Sequence, residues 1–395
     1  MATNLTVVVG GGAAGILAAI STARMGRSVV ICEKTSQIGK KILATGNGRC
    51  NLLNDDLDDT HYNATARQLV KSVLARFGKR DILDFFKAVG LRTYSLDGRI
   101  FPITNQAASV LKVLDLEVKR LGIPTELSFN CSAISFSGDD IVVSSDSGKR
   151  LQCRKVILTG GGKSYPALGS DGSTYELAAS AGHKIIAPVP SAVPLVVKDG
   201  LCHFLQGQRI QARVRSIIGD AEGEEVQGEL LFTKYGLSGT CILDVSRQIS
   251  IALNRNRRTN VALSVDLVPL MSSHELRDEL QRRRNARLSP EDMLVGILPN
   301  KFGGPLKAIF AAGDIDRAVA YLKGRKFQVS STRGWNEAEF TAGGIDVTEV
   351  RPATLQSKFH KWLYFAGEVL DVDGERGGFN LGWAWASGWV AGIGE

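Results

Sequence analysis

Leu5-Thr6-Val7-Val8-Val9-Gly10-Gly11-Gly12-Ala13-Ala14-Gly15-Ile16-Leu17, followed by Val29-Val30-Ile31-Cys32-Glu33-Lys34, is the stretch whose reading decides the fold. An apolar run meets Gly10, Gly12 and Gly15 in GxGxxG register, and a second apolar run ends in an acid eighteen residues after Gly15. This is the pattern of a dinucleotide-binding βαβ unit. Gly10 serves the tight turn, Gly12 lets a pyrophosphate approach the backbone, and Gly15 lets helix and strand pack closely. The pyrophosphate is expected on the free N–H groups of a helix starting near Ala13 and Ala14. Glu33, with Lys34 beside it at the second strand's end, is expected at the adenosine ribose. Leu5 to Ala23 carries no charge, but no Lys or Arg precedes Arg24, and three consecutive glycines weaken a signal or spanning helix.

Working outward, 395 residues allow two or three domains at about 150 residues each. The 44% hydrophobic and 22% charged content is ordinary for a soluble globular protein, no other uncharged apolar stretch is long enough to span a membrane, and the expected address is the cytoplasm. Six cysteines (Cys32, Cys50, Cys131, Cys153, Cys202, Cys241) form neither a CxxC pair nor a Cys/His cluster, so no metal site or disulfide framework is expected. The five histidines are widely spaced, which leaves no visible nucleophilic or metal constellation and no assignable catalytic residue. Formal net charge is +8, and Arg247 to Arg287 holds nine Arg against four acids. No aromatic residues interleave that cluster as a single-strand binder would want, so a solvated helix face is favoured over a nucleic-acid surface.

Residues 66–90 and 106–122 read as amphipathic helices, and 126–158 as a β-meander running into Gly160-Gly161-Gly162. Gly162-Lys163-Ser164 is not a P-loop, because Walker spacing would put glycine where Ile157 stands. Gly160 and Gly161 read instead as a strand end near a cofactor or simply as a tight crossover. The pattern changes at Pro188, Pro190 and Pro194. Residues 191–268 are expected to form a β-barrel-like insert and 269–334 its helical subdomain, with Ser273 as the N-cap of a helical stretch over 272–325. The cofactor domain is then discontinuous, residues 1–190 and 335–395.

Leu363-Tyr364-Phe365-Ala366-Gly367-Glu368 reads as a strand ending in glycine and acid, and Gly378-Phe379-Asn380-Leu381 opens a last helix. A nicotinamide enzyme has no general need for a late strand returning to the opening unit. FAD does, because its ribityl chain and isoalloxazine ring run past the N-terminal sheet. Glu368 is expected at the ribityl or phosphate region, and the N–H groups of Gly378, Phe379 and Asn380 at the flavin pyrimidine edge, where a helix N-terminus favours negative charge.

The opening glycines, Thr45-Gly46-Asn47-Gly48-Arg49-Cys50-Asn51, Phe232-Thr233-Lys234-Tyr235-Gly236-Leu237-Ser238-Gly239 and the ending from Phe365 to Leu381 resemble the BaiN-type bacterial flavoproteins, a group with bile-acid dehydroreductase-like and aminoacetone-oxidase-like members. Asn47 stands where loops of that group often carry glycine. The resemblance implies an α/β fold with a Rossmann-like FAD-binding domain of glutathione-reductase type assembled from both chain ends, a β-rich insert and a helical cap. It further implies that Lys41, Thr45, Gly46, Arg49, Cys50 and Asn51 line the ribityl chain or the flavin ring. The expected activity is an FAD-dependent oxidoreductase moving hydride between flavin and a small or medium organic substrate, with NAD(P)H as a transient donor or oxygen as second partner. An RNA-modifying or RNA-associated flavoprotein and a flavin-binding sensor without turnover stand as the alternatives. Tyr165 and Tyr235 are weighed as proton donors against ordinary half-buried aromatics.

Overall fold

Val7, Val8 and Val9 are β-branched and fully enclosed, as strands of a sheet covered on both faces require. They lie in β1 (Thr6–Val9), which leads through α1 (Ala13–Arg24) to β2 (Val29–Glu33) and through α2 (Ala107–Arg120) to β3 (Thr125–Leu127). The chain later adds β4 (Lys155–Leu158) and, near its end, β5 (Leu363–Phe365) followed by α3 (Phe379–Ile393). All pairings are parallel, and the sheet order is β5-β4-β1-β2-β3. Val9 stands opposite both Cys32 and Leu158. The order reverses between β1 and β4, the switch point outside whose carboxyl ends α/β sheets bind ligands.

This computed structural model describes residues 4–394. The chain divides into two units, one formed by residues up to 188 together with those from 340 onward, the other by 189–339. Each has its own hydrophobic core.

In the first unit the two ends of the sequence meet through glycine. A Cβ on Gly388 would lie 2.2 Å from the Ala14 carbonyl oxygen, and one on Gly392 2.4 Å from that of Ala18. Ser21 and Thr22 hydroxyls donate to the carbonyls of Trp389 and Gly392 at 3.0 and 3.1 Å. Because Ala14 faces Gly388 and Ala18 faces Gly392, α1 and α3 run parallel. The start of α3 projects eight residues, about 12 Å, beyond the start of α1.

The second unit holds six antiparallel strands that close on themselves: Arg209–Ile218, Val226–Thr233, Gly236–Ser238, Leu195–Val197, Arg325–Thr332, Val261–Asp266 and back to the first. Closure removes the exposed edges of an open sheet. Helix Thr240–Ser250 contributes Cys241, Ile242, Val245 and Ile249 to its core.

Local departures from the sequence reading have physical causes. Residues 66–90 are two helices, Arg67–Leu74 and Lys79–Ala88, split at Gly78, whose N–H donates to Asp81. The meander reduces to Cys131–Ser137, Asp140–Ser145 and Arg150–Cys153, while β3 and β4 on either side join the parallel sheet. The helical stretch is three helices ending at Lys323, and its N-cap is Ser272, closed reciprocally with Glu275. Residues 325–332, expected in the helical part, are a barrel strand with Phe327 and Val329 turned inward. The Arg cluster is largely engaged within the chain: Arg277 pairs with Asp316, Arg282 and Arg283 with Glu279, and Arg284 donates to the Gly313 carbonyl. No helix among the described residues is long and apolar enough to cross a membrane.

Candidate functional site

The first turn of α1 is held open by its glycines. Gly10 has φ 105°, and a Cβ there would lie 2.7 Å from the Thr159 carbonyl oxygen and 2.8 Å from Gly160 Cα, so the ends of β1 and β4 touch backbone to backbone. A Cβ on Gly15 would come 1.9 Å from the Gly10 carbonyl oxygen. Gly12 is different. It is the N-cap, no side chain caps the helix and no acid stands in the first turn, and a Cβ there would meet nothing within 4 Å. Backbone donors and the positive end of α1, at Ala13 and Ala14, thus face open space, the geometry of an anion cradle.

Glu33 is buried at the end of β2, where Oε2 accepts from Gly11 N–H and Oε1 from Thr35 N–H, both at 2.8 Å. Each oxygen keeps a lone pair, so the fixed carboxylate can still accept from vicinal hydroxyls. Lys34 reaches Asp171 at 2.5 Å. Burial pushes the Asp171 carboxyl up, but Lys34 and the Ser173 N–H more than offset this and hold it below its usual value. Asp171 and Tyr175 border a cleft of about 360 Å³ with Lys163 and Glu176. Of these four, the sequence reading names only Lys163, and that within the rejected P-loop motif. Gly160 is crowded by Thr174, whose hydroxyl would sit 1.8 Å from an added Cβ, and Gly161 (φ 76°) faces the buried Ser170 hydroxyl, which has no hydrogen-bond partner.

Lys41 and Glu368 meet across 327 positions of sequence. Lys41 Nζ lies 2.6 Å from Glu368 Oε2 and 2.7 Å from Ser164 Oγ, and Ser164 donates to Glu368 Oε1 at 3.1 Å. Thr341 N–H donates to the same oxygen at 2.8 Å. Burial raises the Glu368 carboxyl, the Lys41 ammonium and the hydrogen bonds from Lys41 and Thr341 together outweigh it, and the net position is below the ordinary glutamate value. Gly367, φ 78°, seats this carboxylate next to α1, since its Cβ would be 2.8 Å from that of Ala14. The sequence signalled Lys41 and Glu368 but not Ser164 or Thr341.

In the loop before residue 52, Gly46, Asn47, Gly48 and Cys50 all have left-handed backbone, with φ 58°, 54°, 81° and 58°. Such a conformation costs a non-glycine residue about 1–2 kcal/mol, least for Asn. Thr45 binds the loop inward, its hydroxyl donating to the Ile42 carbonyl at 2.6 Å and its own carbonyl accepting from Cys50 N–H at 3.0 Å. Arg49 lies over the Phe101 ring at 5.1 Å. Cys50 is buried and its thiol is pushed up to about 11, which suits a packed side chain rather than a redox thiolate. Asn51 ends the loop beside Gly378, with a buried Oδ1 that has no hydrogen-bond partner.

At the start of α3 the N-cap Gly378 has φ 106° and no side chain caps the helix. The Phe379 ring is core, stacked on His61 at 4.3 Å, and its carbonyl accepts from Tyr62 Oη. The Asn380 carboxamide closes its own loop, accepting from Gly374 N–H and donating to the Gly374 carbonyl, both at 3.0 Å. Only the backbone of these two residues remains for a ligand; Leu381 packs against the core. Elsewhere, Ser357, His183 and Glu349 line up like a nucleophilic triad, at 2.7 and 3.2 Å. Ser357 is buried and its oxygen already accepts from the N–H groups of Phe359 and His360, so the arrangement is structural.

An open turn on α1, an acid ending β2 and a second open helix start brought alongside from the far end of the chain define the class of Rossmann-type FAD-dependent oxidoreductases. Within that class the chain belongs to the HI0933-like protein Rossmann domain family, whose model matches residues 4–394. It is 37% identical over 404 residues to the 3-dehydro-bile acid delta(4,6)-reductase of Clostridium scindens, covering 98% of each. It is also 28% identical to the ribosomal RNA dihydrouridine synthase of Haemophilus influenzae, covering 98% of this chain and 97% of that protein. The 3-ketosteroid-delta4-(5alpha)-dehydrogenase of Rhodococcus jostii shares the fold, with a TM-score of 0.51 at 16% identity over 98% of this chain and 96% of that one.

Proposed function

We propose that this protein is an FAD-dependent reductase that saturates a carbon–carbon double bond conjugated to a carbonyl in a small or medium organic molecule, with NAD(P)H as a transient donor. The observation that carries the cofactor assignment is the pair of uncapped helix starts at Gly12 and Gly378, aimed the same way and staggered by about 12 Å. Gly10, Gly12, Ala13, Ala14 and Gly15 take the pyrophosphate, and Glu33 with Lys34 the adenosine end. Lys41, Thr45, Gly46, Arg49, Cys50, Asn51, Gly160, Gly161, Gly367 and Glu368 border the ribityl chain or the flavin ring. The N–H groups opening α3 at Gly378, Phe379, Asn380 and Leu381 take the ring. The bound flavin supplies hydride transfer. The chain's part is to hold charge in place: Lys41 fixes the Glu368 carboxylate, and the α3 start favours negative charge at the pyrimidine edge.

The relatives support the reaction class. A 3-dehydro steroid with 4,6 unsaturation and a uracil ring each carry a C=C bond conjugated to C=O. Reduction of either adds hydride to the far carbon and a proton beside the carbonyl. Anaerobic stopped-flow with NADH and NADPH separately, followed by a panel of enones, tests the proposal. The expected result is bleaching of the flavin by one nucleotide and reoxidation by an enone. Failure of both nucleotides would turn the reading toward an oxidase or a sensor.

A second reading, reduction of uridine in RNA, draws on the relatives at 28% identity and the +8 charge. The internal pairing of Arg277, Arg282, Arg283 and Arg284 counts against it. Reoxidation by a ribosomal RNA fragment but by no enone would favour it.

A further inference from the structure

We propose that Asn51 reads the pyrimidine edge of the flavin, its carboxamide oxygen accepting the ring N3–H while the backbone donors that open α3 take the flanking carbonyls. This rests on the FAD assignment above and adds the atom-level origin of its specificity. The starting observation is an acceptor without a donor: Asn51 Oδ1 is buried and has no hydrogen-bond partner. Leaving such a group unsatisfied costs about 1–3 kcal/mol, so native chains keep one where a ligand or water completes it.

Its surroundings specify the ligand. A Cβ on Gly378 would stand 3.0 Å from Oδ1, and Gly378 is the N-cap of a helix that no side chain caps. One acceptor is thus placed beside a set of backbone donors. The isoalloxazine pyrimidine ring presents the complement: a carbonyl, an N–H and a second carbonyl in a row.

The acceptor is also held in position. A Cβ on Gly46 would lie 2.7 Å from Asn51 N, so the left-handed turn at Gly46 lets the Asn51 backbone come close. On the other side, Leu52 N–H donates to the Ile100 carbonyl at 2.8 Å, and the Leu52 carbonyl accepts from Trp385 Nε1, on α3, at 3.0 Å. Asn51 and the α3 start are therefore tied to the same element. A site built this way prefers a flavin whose N3 carries hydrogen.

Apoprotein titrated with FAD and with N3-methyl-FAD tests this, with midpoint potentials measured on the loaded variants. The expected result is that the wild-type chain binds FAD at least about tenfold more tightly than the methylated analogue, the equivalent of one hydrogen bond. Asn51→Leu should weaken FAD binding by a similar factor, whereas Asn51→Asp keeps an acceptor, retains FAD and shifts the potential negative because a carboxylate opposes the charge of the reduced ring. Equal affinity of the wild-type chain for the two flavins, or an Asn51→Leu variant with unchanged FAD affinity, would overturn the inference. A wild-type chain that takes up neither flavin would instead overturn the cofactor assignment beneath it.

Discussion

Replacing Gly12 by Ala separates the approach of a cofactor from the stability of the fold. Gly12 has φ −80° and ψ −167°, ordinary extended backbone, and the new methyl meets no protein atom within 4 Å. The apoprotein should lose only the difference between Gly and Ala as an N-cap, about 1 kcal/mol or less. The methyl nevertheless fills the open space before the first-turn N–H groups, through which the pyrophosphate of the proposed FAD would approach. A hydrogen bond to a charged group contributes about 1.5–3 kcal/mol, so the loss of one lowers FAD affinity by about 10- to 150-fold. Gly15→Ala is the contrast: its Cβ would sit 1.9 Å from the Gly10 carbonyl oxygen. Relieving that clash moves backbone and costs about 1–3 kcal/mol or more before any ligand is added. Thermal unfolding of both apoproteins, with FAD titrations, gives the two readouts. A Gly12→Ala chain that binds FAD within about threefold of wild type, a difference under 1 kcal/mol, would refute the reasoning.

Gly388→Ala is expected to push α1 and α3 apart, since its Cβ would lie 2.2 Å from the Ala14 carbonyl oxygen. A cost of about 1–3 kcal/mol should appear as a lowered Tm and a weaker FAD complex. Lys41→Met should cost about 1–3 kcal/mol at neutral pH in urea unfolding, because it strands a largely enclosed carboxylate, and Glu368→Gln added to it should restore part of the loss. The depressed Glu368 carboxyl contributes stability above its ordinary value, about pH 4.3, and loses it as pH falls through the folded value. Lys41→Met should flatten that acid limb. Burial lowers the His183 imidazole despite the opposing Glu349 carboxylate, so the folded state disfavours its charged form. Its contribution is complete above about pH 6.5 and falls as pH drops from there toward the depressed folded value. His183→Gln should remove that slope from urea midpoints measured across the range, and a variant with the wild-type slope would exclude His183 as its source.

What the sequence disclosed and what it hid follow from distance along the chain. Gly10, Gly12, Gly15 and Glu33 lie within one βαβ unit, so their spacing alone carries the geometry. The start of α3 is legible in the sequence as a helix opening, but that Asn380 engages its side chain with Gly374 depends on how its loop closes, which no periodicity records. That Ser164 and Thr341 join Lys41 and Glu368 is not legible in the sequence, because the cluster draws on four remote segments and each residue is unremarkable in its own. The strand Arg325–Thr332 is hard to separate from the helical part in sequence because only Phe327 and Val329 mark its inner face. The split at Gly78 leaves a trace in the sequence: Leu69, Val70 and Val73 before it and Ile82, Phe85 and Phe86 after it do not share one 3.6-residue stripe, and the second helix opens where Asp81 accepts from the Gly78 N–H.

The strands Ile185–Ser191 and Phe340–Ile345 are hydrogen-bonded to each other. Everything between them is thus topologically a side excursion whose two roots are neighbours. Lineages could exchange, enlarge or trim the barrel without rethreading the nucleotide fold. A protease nick inside the excursion would leave the two flanking pieces still clasped by their shared sheet and by the α1–α3 contact.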